Sequence, residues 1–431
     1  MPKRAWLWPL LLAVLVGGAF WFGFRADKAG DRELPVYVMG AERLAAGEEI
    51  YRRGTDAKPF TYPPFAAVPF VPMAWVPKEW QPPVWFAVNF VILLLLARWL
   101  HRHAAGDRPG LAPPRLVPFW IATAVFGGRH IASVLSNQSH DLLILGLVGL
   151  TAAAWVRGRA TAAVWAAIGG AIKATPLLFL GLFGVRMRWL AVAVLLATFV
   201  GATVLPDFVF PRDDGGSWWR AWYDVNLRGL QVGGAASAAG AWNSHSFLNQ
   251  SLGGTLLRLF QPVAVADPSF VVGQPGHVLW YELSPTLFRG LQIALQLAVL
   301  GLVALGVHLA GRAIRAAKDP VATQRALALG EVGVVVCGMV LLSPQSSKSH
   351  FCVWLLPVAF VVERLLRGRR DLLALGLFLA AAVVGLAAKD VLGKHLGNLL
   401  LAWGNVTWAT LLLLLATVRC LATARRVEIA P

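Results

Sequence analysis

Long uninterrupted runs of apolar residues recur along this chain and limit its possible folds more than any other feature. Clear runs cover residues 5–24, 84–100, 189–205, 290–309 and 403–418. Runs of about 20 apolar residues match the thickness of the hydrocarbon core of a bilayer. Only 14% of the residues are charged, against about 25% in soluble domains. The sequence therefore predicts an all-α polytopic membrane protein with about 10–12 transmembrane or re-entrant helices, and it excludes a soluble globular domain.

Basic side chains lie mainly in the short segments between the apolar runs and give the chain a net charge of +17. Cytoplasmic loops of membrane proteins are enriched in Lys and Arg, so we interpret these residues as orientation signals. No basic stretch is long enough to form a nucleic-acid-binding face, and nucleic acid is not expected as a partner. The sequence has no P-loop, no Gly-rich dinucleotide turn and no cysteine or histidine spacing typical of a metal site, so we expect neither a cofactor nor a metal.

The basic segments also predict the orientation of the chain. Alternation of the runs across the membrane, starting with Lys3 and Arg4 inside, places the basic loops and both termini in the cytoplasm. The outer segments are then residues 25–82, 129–141, 206–286, 343–350 and 389–395, and the first four contain most of the polar and acidic clusters. A single multi-pass domain over residues 1–431 is expected in the cell (inner) membrane, with its site on the periplasmic or extracellular side.

Residues 160–185 are apolar but have a pair of arginines just before and just after them. At 1.5 Å per residue this stretch is about 39 Å long, too short for two full spans. Basic flanks on the same side predict two short helices that enter the membrane and return, with Lys173 near the turn. One long tilted helix is the alternative. Since a charge inside the membrane needs a partner or water, Lys173 is expected beside a polar cavity, in contact with a phosphate or a structural carboxylate.

The first outer segment contains acidic residues immediately before a short amphipathic pattern. Residues 35–46 are predicted to form a helix that Gly47 ends, as a glycine at the C′ position does. Asp31 and Glu33 precede this helix. A carboxylate here is placed to act as a general base on a hydroxyl at the membrane surface. An acidic residue before a helix also serves as an N-terminal cap, and this alternative stays open.

Several short motifs follow one another along the chain. They are Val36-Tyr37, Gly47-Glu-Glu-Ile-Tyr51, Phe60-Thr-Tyr-Pro-Pro64, Asn137-Gln138, Lys173-Ala-Thr-Pro176, Asn249-Gln-Ser251 and Ser343-Pro344. In this order and topology the chain resembles, from residue 1 to about residue 360, the integral-membrane glycosyltransferases of family 87. These are polyprenol-phosphate-mannose-dependent mannosyltransferases of the GT-C superfold.

The resemblance implies a GT-C-like enzyme that transfers a sugar, mannose in the family, with inversion. The donor would be a polyprenyl-phosphate sugar, the acceptor a glycolipid or glycan, and membrane lipids would surround both. The family has an aspartate four residues before the motif tyrosine; Glu33 holds that position here and is the first candidate base, and Asp31 is the second. The residues expected to bind the donor or other substrate groups are Tyr37, Tyr62, Arg129, His130, Asn137, Gln138, Lys173, Trp242, His245, Asn249, Gln250, Lys348 and His350.

Other interpretations stay open at this point. A transporter or flippase of lipid-linked sugars would also need a polar cavity, although many transporters have two repeated halves and this sequence shows no such repeat. An inactive family relative, with Glu33 in place of aspartate, would bind the lipid-linked sugar without turnover. For single segments, the alternatives are helix-end capping by residues 137–141 and a hydrated turn at 343–350.

Overall fold

The computed structural model describes residues 17–18, 21, 32–52, 56, 58–106, 115–228, 244–265, 278–368 and 371–428. These residues form seventeen helices and no strand, which confirms the predicted all-α class. The helices are α1 Leu34–Ala45, α2 Pro64–Ala74, α3 Gln81–Ala105, α4 Leu116–Asn137, α5 Asp141–Val156, α6 Thr161–Ile172, α7 Thr175–Val185, α8 Trp189–Val209, α9 Trp218–Trp222, α10 Leu252–Phe260, α11 Pro285–Ala316, α12 Pro320–Leu342, α13 Lys348–Arg367, α14 Leu372–Leu386, α15 Lys389–Leu392, α16 Lys394–Ala402 and α17 Asn405–Glu428.

Eleven of the seventeen helices are candidates for transmembrane or re-entrant segments, and they fall into two length classes. Among the described residues, six helices are long and apolar enough to cross a membrane, namely α3, α8, α11, α12, α13 and α17. Five shorter apolar helices accompany them, namely α2, α5, α6, α7 and α14. Six long and five short apolar helices agree with the predicted set of transmembrane and re-entrant helices. The first predicted span, residues 5–24, lies almost wholly outside the described residues.

The centre of the bundle is α12, which is buried along most of its length. It packs against α5, α11, α13 and α17. Glycines make these close approaches possible, since a β-carbon at Gly330 would lie 2.5 Å from the ring of Phe360 and one at Gly333 would lie 3.1 Å from Pro357. Small residues serve this purpose at helix contacts inside membranes. In contrast, α3, α8 and α11 bury only a minor part of their apolar surface and are suited to face lipid.

The predicted break in residues 160–185 is present. Helix α6 ends at Ile172, Lys173 has extended backbone angles (φ −148°, ψ 117°), and α7 starts with Pro176 in its first turn. A β-carbon at Gly169 would lie 3.3 Å from the ring of Pro176. Residues seven apart in a continuous helix are about 10 Å apart along the axis, so the chain turns back here. The alternative of one long tilted helix is therefore wrong.

Residues 396–418 are almost continuously apolar, but they do not form one span. The chain forms α16 and α17 instead, separated at Gly404, whose φ of +79° ends the first helix. The guanidinium of Arg258 donates to the carbonyl of Ala402 at 2.8 Å, and this bond satisfies a carbonyl left free by the helix end. Apolar composition alone does not reveal this break, because α16 is as apolar as the helix that follows it.

Several helices meet at one end of the bundle. Helices α4 and α12 arrive there, and α5 and α13 leave from it. The ends are joined by hydrogen bonds: the ring of His130 contacts the carbonyl of Lys348 at 2.8 Å, and the Cys352 thiol donates to the carbonyl of Asp141 at 3.5 Å. We call this end, with residues 32–37, 137–141, 173 and 343–350, the site end.

Candidate active site

Glu33 is the residue immediately before α1, and its side chain does not cap that helix. Its carboxylate instead accepts a hydrogen bond from the hydroxyl of Tyr37, one helical turn further on. Its backbone N–H donates to the carbonyl of Asn137 at 2.9 Å, which docks the start of α1 on the end of α4. The carboxylate is thus positioned by the side chain of Tyr37 and does not cap the helix. It is therefore available to accept a proton, as a general base must be. Gly47 ends α1 with a φ of +72°, as predicted.

The pKa of the Glu33 carboxyl is raised. Burial is the largest cause, and the negative charge of Asp141 adds to it. The hydrogen bond from Tyr37 and the positive charges of Lys173 and Lys58 lower the pKa and oppose this shift. Glu33 is therefore close enough to Asp141 and Lys173 to respond to their charges, and a raised pKa makes its carboxylate a stronger proton acceptor.

Tyr37, the partner of Glu33, belongs to a cluster of packed rings with Tyr62, Phe70 and His140, which we call the aromatic wall. The ring of His140 stands edge-on to the rings of Tyr37 and Tyr62, with centroids 4.8 and 4.6 Å apart. Tyr37 also packs on Phe70 at 4.9 Å. His140 is buried, and neither ring nitrogen has a hydrogen-bond partner among the described residues. Edge-to-face packing of this kind fixes the rings, so the tyrosine hydroxyl beside Glu33 is held in one position.

The turn between α4 and α5 carries the central ion pair of the site end. The ammonium of Lys173 donates to Oδ1 of Asp141 at 2.7 Å, and the hydroxyl of Ser139 donates to Oδ2 at 2.9 Å. Nε2 of His350 lies 3.8 Å from the same Oδ1. Gln138 makes the turn possible with a left-handed φ of 54°, and its carbonyl accepts the indole N–H of Trp85 at 3.2 Å. Lys173 thus contacts a structural carboxylate, one of the two partners expected for it.

Sequence reasoning did not select Asp141 or His140, although both belong to this cluster. A signal for Asp141 existed: it is the acidic residue at the start of a 16-residue apolar helix. Because a lysine at membrane depth needs a partner, that carboxylate was the natural candidate for Lys173. No comparable signal marks His140, whose position follows only from the tertiary packing of Tyr37 and Tyr62 against the turn.

A small cavity of about 20 Å³ lies against this ion pair. Its polar lining consists of Asp141, Lys173, Thr175, Ser343, Ser346 and His350. This volume holds about one water molecule, so a sugar or phosphate enters only with some movement of the lining. Within the segment 343–350, Ser346 and Ser349 are buried and Pro344 is exposed, and the Ser346 hydroxyl donates to the Val340 carbonyl at 2.7 Å.

Arg129 and His130 lie at the site end but point into α13 and α14. The Arg129 guanidinium donates to the carbonyl of Gly385 at 2.5 Å. His130 is fully buried against the indole of Trp354, with ring centroids 4.7 Å apart. The backbone carbonyl of Lys348, rather than its ammonium, is the partner of His130. The structure thus brings these residues near the cavity without placing them on its lining.

Asn249 and Gln250 are fully buried, and their side chains contact backbone groups. The Asn249 amide donates to the carbonyls of Ser244 and Pro344, at 3.0 and 3.2 Å, and its oxygen accepts the N–H of Ser346 at 3.1 Å. Gln250 donates to the carbonyl of Leu401 at 2.7 Å. These two residues join the segment after α12 to α16. Half-buried His245 lies in the turn leading to them.

Two predicted site residues, Asp31 and Trp242, lie outside the described residues. Of the others, the structure brings together Glu33, Tyr37, Tyr62, Asn137, Gln138, Lys173 and His350. The remaining predictions, that Arg129, His130, His245, Asn249, Gln250 and Lys348 bind substrate, stay predictions.

A family model decides the membership of the chain. The model of glycosyltransferase family 87 matches residues 60–344, more than half of the sequence. The chain belongs to glycosyltransferase family 87. This confirms the resemblance drawn from the short motifs, and the chain is a membrane glycosyltransferase of that family. Comparisons with curated proteins and with solved structures gave no match.

The matched range covers part of this candidate site. Tyr62, the turn 137–141 and Lys173 lie inside it, whereas Glu33 precedes it and His350 follows it. The arrangement combines a held carboxylate of raised pKa, an aromatic wall and a cavity bearing a cation. A carboxylate can accept a proton, aromatic rings can pack on the C–H face of a sugar, and a cation can bind phosphate. These are the groups that sugar transfer from a phosphate-linked donor requires.

Proposed function

We propose that this family 87 glycosyltransferase moves a sugar from a polyprenyl-phosphate donor to a lipid or glycan acceptor at the outer face of the membrane. Mannose is the sugar implied by the resemblance to polyprenol-phosphate-mannose-dependent enzymes. One observation carries the proposal: the turn 137–141 docks the backbone of Glu33 and also holds Lys173 through Asp141. A candidate base and a candidate phosphate-binding cation therefore share one rigid support.

The reaction we propose needs one proton acceptor and one site for the leaving group. Glu33 takes the proton of the acceptor hydroxyl as its oxygen attacks the anomeric carbon from the side opposite the phosphate. The bond between that carbon and the phosphate oxygen breaks, and the polyprenyl phosphate leaves with the bonding electrons. Lys173, with Lys348 and His350 nearby, stabilises the charge that develops on the phosphate. The phosphate is a good leaving group, so no general acid is required. Asp31 is the second candidate base.

The distribution of basic residues supports the outer face. Helix α5 leads away from the site end for 16 residues, about 24 Å, and is followed by Arg157 and Arg159. Helix α7 also leads away from it and is followed by Arg186 and Arg188. Arg115 lies at the far end of α4. Since cytoplasmic loops are enriched in Lys and Arg, the far end is assigned to the cytoplasm and the site end to the outer side.

Transfer by purified protein tests the proposal. The protein in detergent would be incubated with radiolabelled polyprenyl-phosphate mannose and a membrane lipid extract, beside Glu33→Gln. Glu42→Gln is the matched control, because Glu42 is exposed on the same helix. We expect labelled glycolipid with wild type and Glu42→Gln and none with Glu33→Gln. Full activity in both Glu33→Gln and Asp31→Asn would overturn the assignment of the base. If the wild-type protein binds the donor but transfers no sugar, the result would favour the alternative that the protein is an inactive family relative.

A further inference from the structure

The Lys173 ammonium is already neutralised within the folded protein. It lies at 2.7 Å from Asp141, and the two side chains are only 14% and 5% exposed. Asp141 cannot readily turn away, because Ser139 holds its second oxygen and because it is the first residue of α5, where a helix favours a negative charge. A phosphate that reaches Lys173 therefore meets a cation and a fixed carboxylate together.

Among the described residues, Lys173 is the charged group closest to Asp141. Nε2 of His350 faces the same carboxylate oxygen at 3.8 Å, while its Nδ1 accepts the N–H of Ser347 at 3.2 Å. Arg129 donates to the Gly385 carbonyl rather than to Asp141. Glu33 is the other carboxylate that acts on this cluster through its charge. Lys173 and Asp141 thus set the charge that the cavity presents to an anion.

The donor and the lipid product of the proposed reaction differ in charge. The phosphodiester of a polyprenyl-phosphate sugar carries one negative charge, whereas a free phosphate monoester carries about −1.5 to −2 near neutral pH. A fixed carboxylate repels the monoester more strongly than the diester, in proportion to charge. An unpaired lysine would have the opposite effect and would retain the product most strongly.

We propose that Asp141 is a positioning residue that limits the hold of Lys173 on phosphate and thereby promotes release of the polyprenyl phosphate product. The proposal rests on the proposed sugar transfer, and it adds a role for a residue that does not touch the reacting atoms. Lys173 attracts both lipids into the cavity. Asp141 keeps that attraction weak enough for the more highly charged product to leave.

Equilibrium binding of decaprenyl phosphate to the full-length protein in detergent tests this role. The variants are Asp141→Asn, Lys173→Met and the double variant. We expect Asp141→Asn to bind about tenfold tighter or more, and Lys173→Met about tenfold weaker or more, from one unit charge at short range. The double variant should bind more tightly than Lys173→Met and more weakly than Asp141→Asn, because it lacks both the attraction of the lysine and the repulsion of the carboxylate. In turnover, Asp141→Asn should lower both kcat and KM for the donor.

Asp371→Asn is the matched control, because Asp371 caps α14 far from the cavity and asparagine caps equally well. A residue that merely supported the fold would, on substitution, weaken lipid binding and lower thermal stability. Unchanged or weaker binding by folded Asp141→Asn would therefore overturn the proposal. If that variant does not fold, the affinities of the wild-type protein for decaprenyl phosphate and for a decaprenyl methyl phosphodiester test the proposal. Because Asp141 neutralises Lys173, the protein should bind the monoester no more than about threefold more tightly than the diester. A preference of tenfold or more would contradict the proposal.

The two proposals fail in different ways. Sugar transfer by wild type that Glu33→Gln abolishes supports the proposed function whatever the binding data show. A second possible result is that the variants bind decaprenyl phosphate in the predicted order but none of the proteins transfers sugar. This result would support the role of Asp141 at a phosphate site and contradict the proposed sugar transfer. If wild type and Lys173→Met bind decaprenyl phosphate equally well, Lys173 does not contact the phosphate. The proposed role of Asp141 would then be wrong as well.

Discussion

The hydroxyl of Tyr37 donates a hydrogen bond to the carboxylate of Glu33, and the two residues are one turn apart at the start of α1. Tyr37 is 1% exposed and packs against Phe70 and His140, so its hydroxyl is fixed. This bond favours the ionised carboxylate and lowers the pKa of Glu33, against burial and the charge of Asp141, which raise it. Tyr37 therefore lowers the pH at which Glu33 becomes ionised and can act as a base.

Tyr37→Phe should make transfer more sensitive to acid. Without the hydroxyl the pKa of Glu33 rises further, and only the ionised carboxylate accepts a proton. The acidic limb of the profile of kcat/KM against pH should therefore move to higher pH. A hydrogen bond worth about 1.4 kcal/mol corresponds to about one pKa unit, so kcat/KM on that limb should fall about tenfold. The measurement is kcat/KM from pH 5 to 9.

Tyr51→Phe is the control for that experiment. The Tyr51 hydroxyl is also buried and donates to a backbone carbonyl, that of Tyr62, at 2.9 Å. This substitution removes a buried tyrosine hydroxyl and its hydrogen bond from the same region without touching Glu33. Its pH profile should match that of wild type. Equal shifts in the two variants would show that the effect reflects general loosening of the aromatic wall.

Glu33→Gln should stabilise the folded protein at neutral pH. A raised pKa means that the folded state binds the proton of Glu33 more tightly than the unfolded state. The favourable contribution is therefore present below the unfolded pKa and is lost as the pH rises through the folded pKa. Glutamine mimics the protonated acid, so Tm at pH 8 should rise by a few degrees, roughly the effect of 1 kcal/mol.

The comparison at low pH checks this interpretation. At pH 4 most of the wild-type carboxyl is protonated, so the gain in Tm from Glu33→Gln should largely disappear. Thermal unfolding in the same detergent at both pH values is the measurement. A gain of equal size at pH 4 and pH 8 would mean that the stabilisation has a cause other than the charge of Glu33.

The helical bundle and the break at Lys173 could be predicted because both leave a local signal. Apolar runs of bilayer length specify helices, and a lysine followed by Pro176 inside such a run specifies an interruption. The pairing of Lys173 with Asp141 leaves no local signal, because these residues are 32 positions apart. The sequence restricts the partner to a carboxylate at similar depth, and tertiary packing selects which one.

For Asn249 the residue type predicts contacts with a substrate, whereas the structure shows contacts with the protein backbone. An amide in a polar outer segment is typical of a sugar-binding residue, and the motif resemblance favoured that interpretation. In the structure the amide joins the segment after α12 to the turn before α10, with the carbonyls of Pro344 and Ser244 and the N–H of Ser346 as partners. Residue type gives the capacity for hydrogen bonds, but it does not distinguish a sugar hydroxyl from a backbone group as the partner.

Asn249→Asp separates these two roles. A carboxylate oxygen in place of the amide nitrogen would face the carbonyls of Ser244 and Pro344 and leave them unpaired. A buried carboxylate with one oxygen facing two carbonyl oxygens should cost about 3 kcal/mol or more in stability. The structure leads us to expect a much lower Tm with an unchanged KM for the donor in the folded fraction. A normal Tm with a KM raised tenfold would support direct binding of substrate.

Gly404→Ala should be among the most destabilising glycine substitutions. Gly404 has a φ of +79°, and a β-carbon there would lie 2.2 Å from Cγ2 of Thr255, whose hydroxyl is bonded to Thr407 at 2.7 Å. Gly393→Ala is the matched control, because Gly393 has the same φ of +79° with no atom within 4 Å of a β-carbon. Backbone strain should cost each variant about 1–3 kcal/mol, and the clash should cost Gly404→Ala about 2 kcal/mol more. Chemical denaturation of both variants measures the difference, and equal losses would show that Thr255 moves aside.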